Sequence, residues 1–125
     1  MSNTIMLVDD SLTLRQMLSI TLKRDGHEIV EACNGIEALE KAKGRDIDLF
    51  ICDLLMPEMN GIDFLKKMKQ DKSLKFKPVI MLTTEQENTI KEDARDLGVK
   101  IWKVKPYDPY DILMSVRKLL RPKAQ

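Results

Sequence analysis

Asp9 and Asp10 stand side by side after the apolar run Ile5-Met6-Leu7-Val8, and Asp53 directly follows another run, Leu49-Phe50-Ile51-Cys52. Thr83 ends a third, Val79-Ile80-Met81-Leu82, and Lys105 follows the mixed segment Lys100-Ile101-Trp102-Lys103-Val104. If the ends of these runs meet, three carboxylates share one crevice with a hydroxyl and an ammonium. Close carboxylates repel, and without a counter-charge at least one must hold its proton more tightly. A hard divalent cation removes that conflict. Few carboxylates, with places left for water and phosphate oxygens, suit Mg²⁺. Such a cation would offset charge on a transferring phosphoryl group while Asp53 attacks it to form an aspartyl phosphate. Lys105 would hold one phosphoryl oxygen by its charge, and the Thr83 hydroxyl would donate a hydrogen bond to another. Phosphoryl transfer needs little more, because positioning and electrostatics do most of the catalysis. Each residue alone is a weak signal, since an aspartate after a strand is commonly a helix cap.

The elements that would bring these groups together are legible in the apolar pattern. The three continuous runs are short and bounded by polar or turn residues, as strands covered on both faces are. Glu28-Ile29-Val30-Glu31-Ala32 and the segment around Trp102 carry charges, which suit the edges of a sheet. Between strands the period becomes helical: Leu14, Met17, Leu18, Thr21 and Leu22 share a face, as do Ile90, Ala94 and Leu97, and Leu113, Val116 and Leu120. Asn34 is placed to cap a helix carrying Ile36, Leu39 and Ala42, and Gly61 opens one carrying Phe64, Leu65 and Met68. Asp25-Gly26 and Gly98 fall where helices should stop. Strand and helix alternate five times, which implies a parallel sheet with helices on both faces. With polar strands at the edges and right-handed crossovers, the simplest order is 2-1-3-4-5, a flavodoxin-like (βα)5 doubly wound α/β fold. Its ligands bind beyond the carboxyl ends of the strands, where the order reverses.

Composition narrows the remaining classes. At 125 residues the chain reads as one domain. Twenty-one basic residues against twenty acidic ones give a net charge of +1, which argues against a dedicated nucleic-acid binder. Cys33 and Cys52 lack metal-ligand spacing and read as reduced, buried thiols. The first residues lack a basic leader, and the first apolar run is too short to insert into a membrane. A cytoplasmic protein is the expectation. His27, in the turn Asp25-Gly26-His27, reads as a surface side chain. The Lys-rich stretches Lys66 to Lys69 and Lys72 to Lys77 read as solvated, and Arg121 to Gln125 as a fraying tail.

Four fragments in this order and spacing carry a resemblance: Val8-Asp9-Asp10-Ser11, Asp53-Leu54-Leu55-Met56-Pro57-Glu58-Met59-Asn60-Gly61, Pro78-Val79-Ile80-Met81-Leu82-Thr83-Thr84, and Val104-Lys105-Pro106-Tyr107. Across nearly the whole chain the sequence resembles the receiver domain of two-component response regulators, most of all the stand-alone CheY-like chemotaxis kind. The resemblance implies residues 1–125 as one receiver domain without an output domain. It implies Asp53 as phosphoacceptor for a histidine kinase, and Asp9, Asp10, Asp53 and the backbone carbonyl of Leu55 as Mg²⁺ ligands. It further implies Thr83 as switch hydroxyl, Lys105 as phosphate-binding lysine and a cis Lys105–Pro106 peptide. Trp102 takes the place of the aromatic that moves inward on activation. Phosphorylation would then repack the face of the fourth helix, fifth strand and fifth helix, with Lys91, Lys100, Lys103, Lys118, Tyr107 and Tyr110, for a flagellar motor switch protein.

Two positions depart from the common chemotaxis pattern. Leu55 stands where relatives often carry Asn, and Thr84 where Ala is frequent, while Glu85 is as expected. Both departures bear on how long an acyl phosphate survives. Other classes remain open. A phosphorelay shuttle outside motility would use the same residues. A phosphatase or mutase of the haloacid-dehalogenase type would place its nucleophile after the first strand in a D-x-D arrangement. A flavodoxin-like electron carrier would need a hydroxyl- and glycine-rich loop where Asp9 and Asp10 stand. A purely structural receiver-like adaptor would have no use for the five-residue set.

Overall fold

The computed structural model describes residues 3–84 and 94–120. Lys91, Glu85, Ile90 and the tail from Arg121 lie outside the described residues. The chain runs β1 (Thr4–Val8), α1 (Leu12–Arg24), β2 (Glu28–Ala32), α2 (Gly35–Ala42), β3 (Leu49–Asp53), α3 (Gly61–Lys69), β4 (Val79–Thr83), β5 (Val99–Val104) and α4 (Pro109–Leu119). All strand pairs are parallel, and the order is β2-β1-β3-β4-β5. This is the flavodoxin-like arrangement expected from the sequence, with both polar strands at the edges. Of the expected helix ahead of β5, the described part places Ala94 in the core and Leu97 partly buried against it.

Strand alternation explains why the central runs are apolar throughout. Successive side chains point to opposite faces. Ile5, Leu7, Leu49, Ile51, Ile80 and Leu82 face one cluster, completed by Leu18 and Leu22 of α1 and Ile112, Leu113 and Val116 of α4. Met6, Val8, Phe50, Cys52, Val79 and Met81 face another, completed by Ala38 and Ala42 of α2 and Phe64, Leu65 and Met68 of α3. The Phe50 and Phe64 rings sit 5.7 Å apart, tilted by 58°. Such a pair contributes about 0.5–1.5 kcal/mol beyond its buried area.

Helix ends follow their sequence signals. Ser11, Asn34, Asn60 and Asp108 cap α1, α2, α3 and α4 through side-chain oxygens that accept backbone N–H groups of the first turn. Gly26 and Gly98 adopt φ of +92° and +91°, conformations that cost glycine little. Several side chains depart from expectation. Met17 of α1 and Ile36 of α2 are exposed, and Ser19 is buried, so the inward face of α1 is displaced from the one its apolar spacing suggested. His27 is not a surface residue: its side chain is 10% exposed, with Nε2 3.3 Å from Asp25 Oδ2. The α1–β2 turn folds it inward because the His27 N–H bonds back to the Leu22 carbonyl. Lys69 and Lys77 are half-buried, and Cys33 is half-buried where full burial was expected.

Candidate functional site

The crevice beyond the carboxyl ends of β1 and β3 is where the sheet order reverses. Asp9 follows β1 and its N–H donates to the Ala32 carbonyl at 3.1 Å, which ties it to the end of β2. Asp53 is the last residue of β3. Asp9 and Asp53 continue the alternation of Leu7 and Ile51, and Lys105 that of Ile101. The pleat therefore sends all three toward the face packed by α1 and α4. Lys105 is held by its own N–H, which donates to the Thr83 carbonyl at 2.7 Å, and is followed by a cis Lys105–Pro106 peptide.

The side chains do meet. Carboxylate oxygens of Asp9, Asp10 and Asp53 all lie within 4.8 Å of one another. Lys105 Nζ donates to Asp53 Oδ2 at 3.0 Å and to Asp9 Oδ2 at 3.5 Å. Asp9 Oδ1 accepts the Ser11 N–H at 2.9 Å. Asp9 and Asp53 are buried, whereas Asp10 opens to solvent. Burial pushes the Asp53 carboxyl above its ordinary pKa, Lys105 pulls it down only in part, and the charges of Asp9 and Asp10 push it up again. For Lys105, burial disfavours the ammonium, but the hydrogen bond and charge of Asp53, with Asp9 behind it, outweigh that and raise its pKa. Burial, then the charges of Asp9 and Asp53, push the Tyr107 phenol up to about 12.

One ammonium thus stands against three carboxylates, and the balance calls for further positive charge. The donor set is all oxygen and partly open to water, so it fits a small hard dication that keeps several waters. Cys52, the buried neighbour of Asp53 on β3, faces the opposite side of the sheet and offers no softer ligand; burial and then the charges of Asp53 and Asp9 raise its thiol well above the usual range. Among the described residues this is the one group of three or more ligand-type side chains so arranged.

The loop from β3 to α3 is tightly folded around Asp53. The Gly61 N–H donates to the Leu54 carbonyl at 2.7 Å, and the Leu54 N–H to the Leu82 carbonyl at 2.8 Å. A Cβ added at Gly61 would stand 2.8 Å from the Asp53 carbonyl oxygen and 3.0 Å from Leu54 Cα, so only glycine allows this approach. Within the loop, Glu58 has φ of +69°, and the Met59 N–H bonds to the Pro57 carbonyl at 2.7 Å. A non-glycine residue held there carries strain of about 1–3 kcal/mol. Leu55 is 62% exposed beside Asp53. Thr83 is buried at the end of β4, and the alternation puts it on the same face as Trp102, which is partly buried against the α2–α3 core and in register with Met81. Thr84 is exposed and, with Leu14, Lys105, Pro106 and Tyr107, lines an apolar hollow of about 280 Å³ beside the site.

Two participants were not read from the sequence. Arg15 donates from Nη1 to the Asp9 carbonyl and from Nε to Glu31 Oε1 at 3.0 Å. The i, i+4 spacing from the cap Ser11 places Arg15 over the first turn, but its partners come from other elements.

Residues 5–117 match the response regulator receiver domain family. The chain is 38% identical over 121 residues to the transcriptional regulatory protein SrrA of Staphylococcus aureus, covering 97% of this chain and 49% of that protein. It therefore spans about half the length of the curated relatives it matches. Chemotaxis protein CheY4 of Vibrio cholerae superposes with a TM-score of 0.90 at 38% identity, covering 96% of this chain and 100% of that one. A putative response regulator from Chloroflexus aurantiacus gives a TM-score of 0.86 at 29% identity, covering 95% of this chain and 98% of that one. A family match over most of the chain, an acidic cluster at the sheet's switch point and the shared fold agree: this chain belongs to the response regulator receiver domains of two-component signalling.

Proposed function

We propose that Asp53 accepts a phosphoryl group from a histidine kinase and that the resulting acyl phosphate switches a protein-binding face. The observation that carries this reading is the meeting of Asp9, Asp10 and Asp53 within 4.8 Å, with Lys105 Nζ 3.0 Å from Asp53. An Asp53 oxygen attacks the phosphorus of the kinase phosphohistidine, the P–N bond breaks, and the imidazole leaves with the electron pair and takes up a proton. Lys105 meets the charge on a phosphoryl oxygen, and Thr83 supplies a hydroxyl at the end of the neighbouring strand. The carboxylates of Asp9, Asp10 and Asp53 and the Leu55 carbonyl would hold Mg²⁺, which when bound supplies positive charge toward the phosphoryl oxygens. The chain acts as a regulatory phosphoacceptor in the cytoplasm that assists its own phosphorylation and dephosphorylation. Among the described residues no helix is long and apolar enough to cross a membrane.

The message would leave through β5 and α4. Thr83 and Trp102 share a face, so a hydroxyl drawn toward phosphate frees space for the indole, a shift between two packings that one ligand can bias. Lys100, Lys118 and Tyr110 are exposed on these elements, while Lys103 pairs with Asp111 at 3.0 Å. The likeness to Vibrio cholerae CheY4 over that whole chain supports chemotaxis, with a CheA-like kinase as donor and a flagellar motor switch protein as listener. The equal identity to SrrA supports a route to transcription, and a phosphorelay shuttle has the same site chemistry.

Incubation with acetyl phosphate and Mg²⁺ should add the mass of one phosphoryl group to the intact protein, and neither EDTA-treated protein nor Asp53→Asn should gain it. An unmodified wild-type chain, or equal labelling of Asp53→Asn, would refute the assignment. Capture of the motor switch protein only by the phosphorylated form decides for chemotaxis.

A further inference from the structure

Arg15 lies outside the four fragments that carry the resemblance, yet it touches the carboxyl end of β1 and the edge strand at once. Its side chain is 13% exposed, and its partner Glu31 is 33% exposed. The guanidinium joins the Asp9 carbonyl to the Glu31 carboxylate, and Glu31 is in register with Leu7 on the neighbouring strand. Asp9 is consequently fastened on both sides, its N–H to the Ala32 carbonyl and its C=O to Arg15. The far end of the brace is fixed as well. Lys41 Nζ donates to the Glu31 carbonyl at 2.6 Å, which satisfies a group that the edge strand leaves open, and lies 3.7 Å from Glu37. Glu37 in turn accepts the Cys33 N–H at 2.8 Å. The network therefore runs from α2 through β2 and α1 to Asp9.

We infer that Arg15 is a positioning residue for the cation site: it immobilises the Asp9 peptide and thereby sets the direction of the Asp9 carboxylate. The inference rests on reading Asp9 as a Mg²⁺ ligand. Geometry favours arginine here, because a planar fork reaches two acceptors at once, whereas a lysine offers one point charge. Groups that orient a metal ligand typically cost 10–100-fold in affinity when removed. Charge alone makes the opposite forecast. Losing Arg15 while Glu31 stays would make the surroundings more negative and tighten cation binding, and losing both would leave the formal charge unchanged.

Isothermal titration with Mg²⁺, beside Tm in metal-free buffer, separates the two. Positioning requires both Arg15→Ala and the charge-conserving pair Arg15→Ala with Glu31→Ala to weaken Mg²⁺ by about tenfold or more, with Arg15→Lys between them and wild type. A merely structural role would lower Tm in metal-free buffer while the Kd of the double variant stayed within about twofold of wild type, far below the loss a positioning role demands. That result, or tighter binding by Arg15→Ala, would overturn the inference. If Arg15→Ala fails to fold, the charge-conserving Arg15→Lys carries the same comparison: weaker Mg²⁺ binding supports positioning, and a Kd equal to wild type overturns it. A wild-type chain that bound no Mg²⁺ would instead remove the parent reading of Asp9, so the two failures are distinguishable.

Discussion

Asp53 shows how a single carboxyl group can be poised by conflict. It is nearly fully buried, it lies beside two further carboxylates, and Lys105 compensates only part of that cost. Its folded pKa lies above its unfolded value, so the folded state binds the proton more tightly. Stability therefore falls as pH rises from the unfolded pKa through the folded one, and the penalty is complete once pH exceeds the folded value. Asp53→Asn is expected to raise Tm in metal-free buffer at pH 7, where about 1 kcal/mol reads as roughly 3–6 °C at this chain length. Saturating Mg²⁺ should stabilise wild type and narrow or reverse the order, because a ligand bound only by the folded state adds its binding free energy to stability. Differential scanning calorimetry with and without Mg²⁺ measures both, and a lower metal-free Tm for Asp53→Asn would contradict the account.

At the scale of elements, the β3–α3 connection matters most to the site. Its closure depends on Gly61, whose missing Cβ lets the helix start against the Asp53 carbonyl. Gly61→Ala must push this loop outward, and overpacking of this kind costs about 1–3 kcal/mol. Since the displaced backbone carries Asp53, the variant should lose phosphorylation rate as well as stability. Urea denaturation and an acetyl phosphate time course on the same sample test this. A fall in stability with an unchanged rate would show that the loop can move without carrying Asp53. The motif reading placed Gly61 at a helix start, but its reason is tertiary: the clash involves residues on a strand and on the neighbouring Met81.

Across the whole molecule, one ion-pair cluster fastens the amino-terminal and carboxyl-terminal helices at the pole opposite the site. Arg117 on α4 donates through Nε and Nη2 to both carboxylate oxygens of Asp25, and His27 lies against the same carboxylate. The Arg117 hydrogen bond holds the Asp25 carboxyl below its usual range, against its desolvation, with the charges of Arg117 and His27 adding to it. A depressed folded pKa contributes stability above the unfolded pKa that is lost as pH falls through the folded one. Asp25→Asn should lower Tm at pH 7 only slightly, because Arg117 is half exposed and the pair is screened by solvent. The difference from wild type should close as pH drops below about 4. Parallel melting curves at pH 7 and at acidic pH check the convergence, and a constant offset would exclude the ion pair as its cause.

The order of elements, the edge strands, the helix cap at Asn34, the helix start at Gly61 and the acidic ends of β1 and β3 could all be read from the one-dimensional pattern. Each depends on local periodicity or on a residue's own backbone preference, and both are written into neighbouring positions. Parallel pairing then leaves few topologies, and so the sequence alone places Asp9, Asp10, Asp53 and Lys105 at one edge. What lay beyond the pattern were contacts between side chains distant in the chain. The reach of Arg15 to the Asp9 carbonyl, the inward turn of His27, the exposure of Met17 and Ile36, and the Gly61–Asp53 approach depend on how helices sit on the sheet to within an ångström. Periodicity says which face of a helix turns inward. Only packing in three dimensions decides which atoms that face meets.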